Sequence, residues 1–288
     1  MTALTERLTR TTPAAPSVVS EARTRSMLGR KVWAKTWPPL LAVVIVVVAW
    51  QVLYLSGVKP SYVLPDPLTV FSRLGDLATE PSFWAGAATT MTRAVFGFAV
   101  SLVIGTVLGA AVARSRILRS AIGALLSGLQ TMPSIAWFPL AILFFGLTEQ
   151  AILFVIVLGA APSIANGLIS GIDDVPPQLT RAGHSLGARG FQMLRFVILP
   201  AALPTYVAGL KQGWAFAWRS LLAGELLVTI SQVTALGVLM SNARNFADAP
   251  TLLAVMIVIL IIGMLVDGVF SGIANGIRRR RGLGSVRL

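Results

Sequence analysis

Lys211, Arg219 and Glu225 are three charged side chains within one apolar stretch, residues 204 to 229. A charge at membrane depth is costly and faces the interior of a helix bundle or a water-filled cavity. Two kinds of chemistry are open to this set. Arg219 and Glu225 stand six residues apart and do not share a helix face, so an ion pair between them has to form from another direction or another subunit. Alternatively Arg219 serves an anion pathway. Lys211 is early enough in the stretch to snorkel towards the cytoplasmic surface.

Covalent and metal chemistry have little to work with. The chain holds no cysteine and a single histidine, His184, which excludes thiol catalysis, disulfides and a His-based metal cluster. An ATP-binding P-loop needs a Gly-Lys-Ser/Thr ending. None of the four lysines, Lys31, Lys35, Lys59 and Lys211, follows a glycine. The reading is therefore a chain with no catalytic residues, no metal site and no cofactor of its own.

A second polar group lies in the run 120 to 147, where Gln130, Thr131 and Ser134 flank Pro133, with Pro139 beyond. Each proline removes a backbone donor and clashes with the preceding turn, so this run is expected to kink or unwind at both. Freed carbonyls at membrane depth are tolerated against protein or water. Gln130, Thr131, Pro133 and Ser134, with Arg219 and Glu225, are the expected translocation-path residues; a purely packed kink is the other reading.

A third patterned region is RAGHSLGARGFQMLRFVILPAALP, residues 181 to 204. Pro177 suits a first helical turn, and Asp174 is a candidate cap. Leu179, Ala182 and Leu186 share a face, Gly187 breaks the helix, and a second helix carries Phe191, Leu194 and Val197 until Leu199–Pro200 ends it. Two short helices with exposed apolar faces make a protein-docking surface; an amphipathic hairpin on the inner leaflet, Arg189 and Arg195 near lipid phosphates, is the alternative. His184 reads as a surface residue of this segment.

Behind these residues stands an all-α membrane scaffold. Of 288 residues 55% are hydrophobic and only 12% charged, against about a quarter charged in soluble domains. Apolar runs of about 20 residues, the length that crosses a bilayer, occur near 38–58, 89–113, 120–147, 150–172, 204–229 and 249–273. Residues 38 to 277 thus form a six-helix domain with a cytoplasmic loop at 173–204. Residues 1 to 37 read as a disordered basic cytoplasmic tail, and 278 to 288 as a second one. Between them, residues 59 to 88 form an external connection with a short surface helix.

Eighteen of the 24 Lys and Arg residues fall on one side if both termini are cytoplasmic, with Lys59, Arg73, Arg93 and Arg244 outside. The net charge of +13 follows that topology, so a nucleic-acid partner is rejected; the RRRR run at 278–281 is a positive-inside anchor at the lipid surface. Glycines four apart (Gly105 and Gly109; Gly167 and Gly171; Gly268, Gly272 and Gly276) mark close helix packing, within the chain or between subunits. Asp267 reads as an interhelical or interfacial partner near the inner face.

The 181–204 segment resembles the EAA motif of binding-protein-dependent ABC importer permeases: Glu-Ala-Ala, three residues, Gly, nine residues, Ile-x-Leu-Pro. Here it reads Arg181-Ala182-Gly183, three residues, Gly187, nine residues, Val197-Ile198-Leu199-Pro200. The spacing matches; Arg181 and Gly183 are the departures. LQTMPSIAWFPLAILFFGLTE (129–149), AWRSLLAGELL (217–227) and the Asp267 region resemble the nitrate, sulfonate and taurine subfamily.

The resemblance implies a type I importer permease of the bacterial inner membrane, working as a homodimer. Two ATP-binding subunits carrying ATP and Mg, and an extracytoplasmic solute-binding protein, are its implied partners. It also implies that residues 178 to 200 are coupling helices seated in an ATPase groove. Ala182, Leu186, Gly187, Phe191, Leu194, Leu199 and Pro200 make that contact, with Arg189 and Arg195 at the rim. The implied solute is a small anion or zwitterion such as an aliphatic sulfonate, taurine or nitrate. An ion-coupled secondary transporter is the alternative from another class; it leaves the long patterned loop without a purpose and expects an internal repeat.

Overall fold

The computed structural model describes residues 20–228, 230 and 233–280, all helix and connection. Two units make up the chain, residues 1–59 and 60–288. The first holds α1 (Ser20–Leu55), of which Trp37–Leu55 is apolar enough to cross a membrane. The helix begins at Ser20, before Pro38; residues 1–19 of the expected N-terminal tail lie outside the described residues.

The second unit opens with α2 (Pro67–Thr79), the short surface helix expected outside the membrane. Asp66 caps it by accepting from Leu68 N–H at 3.1 Å, and Pro67 occupies the first turn, where a missing donor costs nothing. The spans follow as α3 (Pro81–Arg114), α4 (Arg116–Thr131), α5 (Phe138–Phe145) and α6 (Glu149–Asp173). After α7 (Pro177–Ser185) and the short α8 (Phe191–Met193), α9 (Leu199–Leu227), α10 (Leu236–Asn245) and α11 (Ala249–Arg280) complete the fold. Among the described residues five helices are long and apolar enough to span; α4 with the segment Ser134–Phe145 makes a sixth if that bent pair is one span. Residues 281–288 of the expected C-terminal tail lie outside the described residues.

The two prolines of the third span act differently. Pro133 forces Met132 into an extended conformation (φ −77°, ψ 131°), and the chain turns through 105° there before a 3-10 turn at Ser134–Trp137. Pro139 lies in the first turn of α5 and disturbs nothing, so one of the two expected kinks is absent.

The core forms where α6 is sandwiched between α3 and α9. Phe138, Ile152, Ile156, Trp214 and Leu221 are buried together there. Helix backbones meet without intervening side chains: a Cβ on Gly167 would lie 2.6 Å from the Gly209 Cα, and one on Gly105 would lie 2.6 Å from the Ala161 carbonyl oxygen. The first two glycine stripes are therefore spent on packing within the chain. Cβ atoms on Gly268, Gly272 and Gly276 would meet nothing within 4 Å.

Candidate functional site

The segment 177–200, expected to be a docking surface, is built as a stapled unit. α7 ends in a Schellman turn: Gly187 N–H donates to the His184 carbonyl at 3.0 Å and Ala188 N–H to Gly183 at 2.9 Å. That closure needs the left-handed angle of Gly187, φ +86°. Gly183, where the motif has alanine, is buried, and a Cβ there would come within 3.0 Å of Met193 and Val197. The second helix thus lies directly on the first.

Leu186 (88% exposed) and Phe191 (73%) project outward, joined by Phe196 (69%). Ala182, Arg189, Leu199 and Pro200 are exposed and Leu194 half-buried. The Arg195 guanidinium lies 5.9 Å from the Phe196 ring centre. His184 is exposed, its Nδ1 2.8 Å from the Thr180 carbonyl oxygen.

Two local expectations are corrected. Asp174 does not cap α7; it closes α6, its N–H donating to Ser170 O at 2.9 Å, while α7 starts after Pro176 with no side-chain cap. Leu199–Pro200 does not end the second helix. A π-helical turn over Leu194–Ile198 carries Leu199 N–H to the Leu194 carbonyl, and the wider turn accommodates Pro200, which has no donor to place. Phe191–Leu227 therefore runs as one rod of 37 residues, about 55 Å at 1.5 Å per residue. The second short helix, with exposed Phe191 and Phe196, and the charged fifth span are one element.

The charges pair differently from the sequence expectation. Glu225 is fully buried and bound to α3, not to Arg219. Arg93 donates to its Oε1 at 3.0 Å, and the Thr90 hydroxyl lies 3.0 and 2.9 Å from its two oxygens. Gly237 N–H donates to Oε2 at 3.0 Å. Arg93 also grips Glu149, its Nε donating at 2.9 Å. Arg219 forms no ion pair among the described residues; its Nε donates to its own helix at Ala215 O (3.0 Å), and its guanidinium lies 5.0 Å from the Phe216 ring centre. Lys211 does not reach for the surface alone: Asp267 holds it at 3.0 Å and Ser271 accepts from it at 2.9 Å. That contact makes Asp267 the interhelical partner it was read to be.

Thr90, Arg93 and Glu149 were missed because Arg93 was counted with the external cations. Its position within the apolar run 89–113 was the available signal.

An open groove of about 660 Å³ runs between α9 and α11, lined among others by Trp214, Trp218, Arg219, Met240, Met256 and Met264. Trp214 and Trp218 are stacked, centroids 6.3 Å apart and planes within 16°. Such a volume suits a small organic solute. Of the expected path residues Arg219 lines this groove; Glu225 is sealed beneath α10, and Gln130, Thr131, Pro133 and Ser134 gather at the α4 break instead. There Gln130 Nε2 is buried without a hydrogen-bond partner among the described residues, and Thr131 donates to Gly128 O at 2.7 Å.

Comparison with known proteins meets this geometry from outside. Residues 101–280 match the family described as binding-protein-dependent transport system inner membrane component. The taurine transport system permease protein TauC of Escherichia coli (strain K12) is 31% identical over 229 residues, 78% of this chain and 82% of that protein. The nitrate import permease protein NrtB of Synechocystis sp. is 26% identical, covering 80% and 84%. A chain of the MetNI methionine ABC transporter shares the fold at a TM-score of 0.58 and 22% identity, over 69% of this chain and 99% of that one. With its multi-pass helical fold and these matches, the chain belongs to the family of binding-protein-dependent transport system inner membrane components.

Proposed function

We infer that this chain is the permease subunit of an ATP-driven importer for a small anion or zwitterion such as an aliphatic sulfonate, taurine or nitrate. Two copies work with two separate ATP-binding subunits, which carry ATP and Mg, and with an extracytoplasmic solute-binding protein. Both termini are cytoplasmic, which puts α7 and α8 against the ATPase.

The observation that carries this reading is the unbroken rod from Phe191 to Leu227. Leu186 and Phe191 present an apolar surface at one end, held by the Gly187 turn, and Arg219 lines the groove further along the same helix. Displacing the docked end moves the groove wall as a rigid body, a recurrent way of switching the side to which a cavity opens. Arg219 suits an anion there because Ala215 and Phe216 engage only part of its donor set. The α4 break at Gln130, Thr131, Pro133 and Ser134 supplies a second polar stretch of the path. Relatives whose names specify taurine and nitrate support that solute class.

Purification from native membrane in mild detergent, followed by mass spectrometry, tests the reading. A stoichiometric P-loop ATPase lost on Gly187→Val, together with a binding protein that retains taurine or an alkanesulfonate, is the expected result. A chain that purifies alone and still transports after reconstitution overturns it.

A further inference from the structure

The outer end of the bundle is tied at one carboxylate. Glu225 sits two residues before the end of α9, fully buried, yet three of its contacts come from other elements: Thr90 and Arg93 on α3 and the Gly237 amide at the start of α10. Thr90 extends the tie, its hydroxyl also accepting from Leu236 N–H at 2.9 Å. Leu236 and Gly237 are the first two residues of α10, whose amides have no partner within their own helix. Glu225, reaching from α9, therefore caps α10, with its negative charge at the positive end of that helix. Gly237 is pressed against the Glu225 side chain closely enough that a Cβ has no place.

Arg93 fixes the other side of the knot. It bridges Glu225 and the half-exposed Glu149 at the start of α6. α3, α6, α9 and α10 thus meet at one guanidinium and one buried carboxylate. α9 is also the helix whose opposite end carries the docking surface.

Resting on the permease reading above, we propose that Glu225 is a positioning residue for transport: the latch that holds the start of α10, at Leu236 and Gly237, closed on α3 and parts from it once in each cycle. The charge arrangement makes parting feasible. Arg93 keeps Glu149 when Glu225 leaves, so no guanidinium is stranded, and the lifting of α10 admits water to the freed carboxylate. A buried pair with no second partner would instead leave an uncompensated charge at several kcal/mol. The Leu236 and Gly237 amides, at a helix start, likewise gain water.

Gly86 lies one turn before Thr90 on α3, and its Cβ would be 3.1 Å from Thr234 Cγ2. The chain has no cysteine of its own. Gly86→Cys with Thr234→Cys therefore places a single reversible bridge across the latch without touching Glu225 or its partners. In the complex with its ATPase subunits in lipid nanodiscs, oxidation is expected to lower ATP turnover about tenfold or more, and dithiothreitol to restore it, while the oxidised parent is unaffected. A fully bridged complex turning over at the unbridged rate overturns the latch.

Glu225→Gln keeps the shape and removes the charge that holds Arg93 and the amides. Its ATP turnover without binding protein is expected to rise about fivefold or more over the parent. A residue that serves only to fold the chain lowers assembly and turnover together, and that result, or unchanged turnover, overturns the proposal. A parent chain that retains no ATPase subunit overturns the permease reading itself, a different result from either failure of the latch.

Discussion

In the proposed permease, Gly187 sets the shape of the docking surface through its backbone alone. Its φ of +86° closes the Schellman turn, and a Cβ there meets nothing within 4 Å. The cost of a side chain is therefore conformational, not a clash. An L-residue held in the left-handed region loses about 1–2 kcal/mol, asparagine less, and a β-branched residue more. Relief requires opening the turn, which gives up the Gly187–His184 and Ala188–Gly183 bonds and moves Leu186 away from Phe191. If the ATPase binds only the closed turn, alanine should weaken its affinity for the permease by about 5- to 30-fold, the equivalent of that strain. Asparagine should lie closer to the parent and valine beyond alanine. Titrating labelled ATPase subunits onto nanodisc-embedded permease measures the series directly. Equal affinity for the parent and the valine variant, with the chain folded, refutes the argument that this turn presents the docking surface.

Gly167→Ala drives a methyl group into the Gly209 backbone 2.6 Å away and should destabilise the bundle by about 1–3 kcal/mol. Gly268→Ala, with open space around it, should leave the monomer's thermal midpoint unchanged in the same detergent melt. Arg219→Ala should cut uptake of taurine, used as the probe solute, about tenfold or more, while stability stays within about 0.5 kcal/mol, because the guanidinium holds no carboxylate among the described residues. Lys211→Ala and Asp267→Ala should each destabilise the α9–α11 contact, and the double variant should cost about 0.5–1 kcal/mol less than the two singles added, as a double-mutant cycle of melting free energies reads it.

What the residue order reveals follows from how local each constraint is. The spans are legible because a bilayer demands long charge-free runs, and Gly187 is legible because a glycine followed by a fresh amphipathic pattern marks a helix end. Pro133 announced its bend. Pro139 and Pro200 were misread by the same rule: a proline's missing donor matters only if the preceding turn needs it, and neither the start of α5 nor the π turn before Pro200 does. The partner of Glu225 was beyond any local rule. Arg93 lies 132 residues away, and helix periodicity relates only neighbours within a turn or two. The glycine spacing showed that backbones meet, while which helix each stripe meets is a tertiary choice.

The distribution of those close contacts also decides what moves together. α9 lies against α6 at Gly209, Gly213 and Gly224, where Cβ atoms would sit 2.6, 2.7 and 3.1 Å from the Gly167 backbone and the Ile164 and Ile152 side chains. At Gly209 sliding one helix along the other drives backbone into the Gly167 backbone, and at Gly213 and Gly224 it drives backbone into buried Ile164 and Ile152. Along the rod Phe191–Leu227 the departures from regular α-helical hydrogen bonding lie near its start, in the π turn over Leu194–Ile198 and at Pro200 and Pro204, while α6 has one at Pro162. In the proposed permease, a displacement entering at Phe191 is carried along the rod by α6 and α9 as a pair. Gly209, Gly213 and Gly224 are on the same helix as Glu225, so in that reading the motion reaches the outer end where Glu225 ties α9 to α3 and α10. Softening the α6–α9 crossing should consequently weaken transmission even where every docking residue and every groove residue is intact.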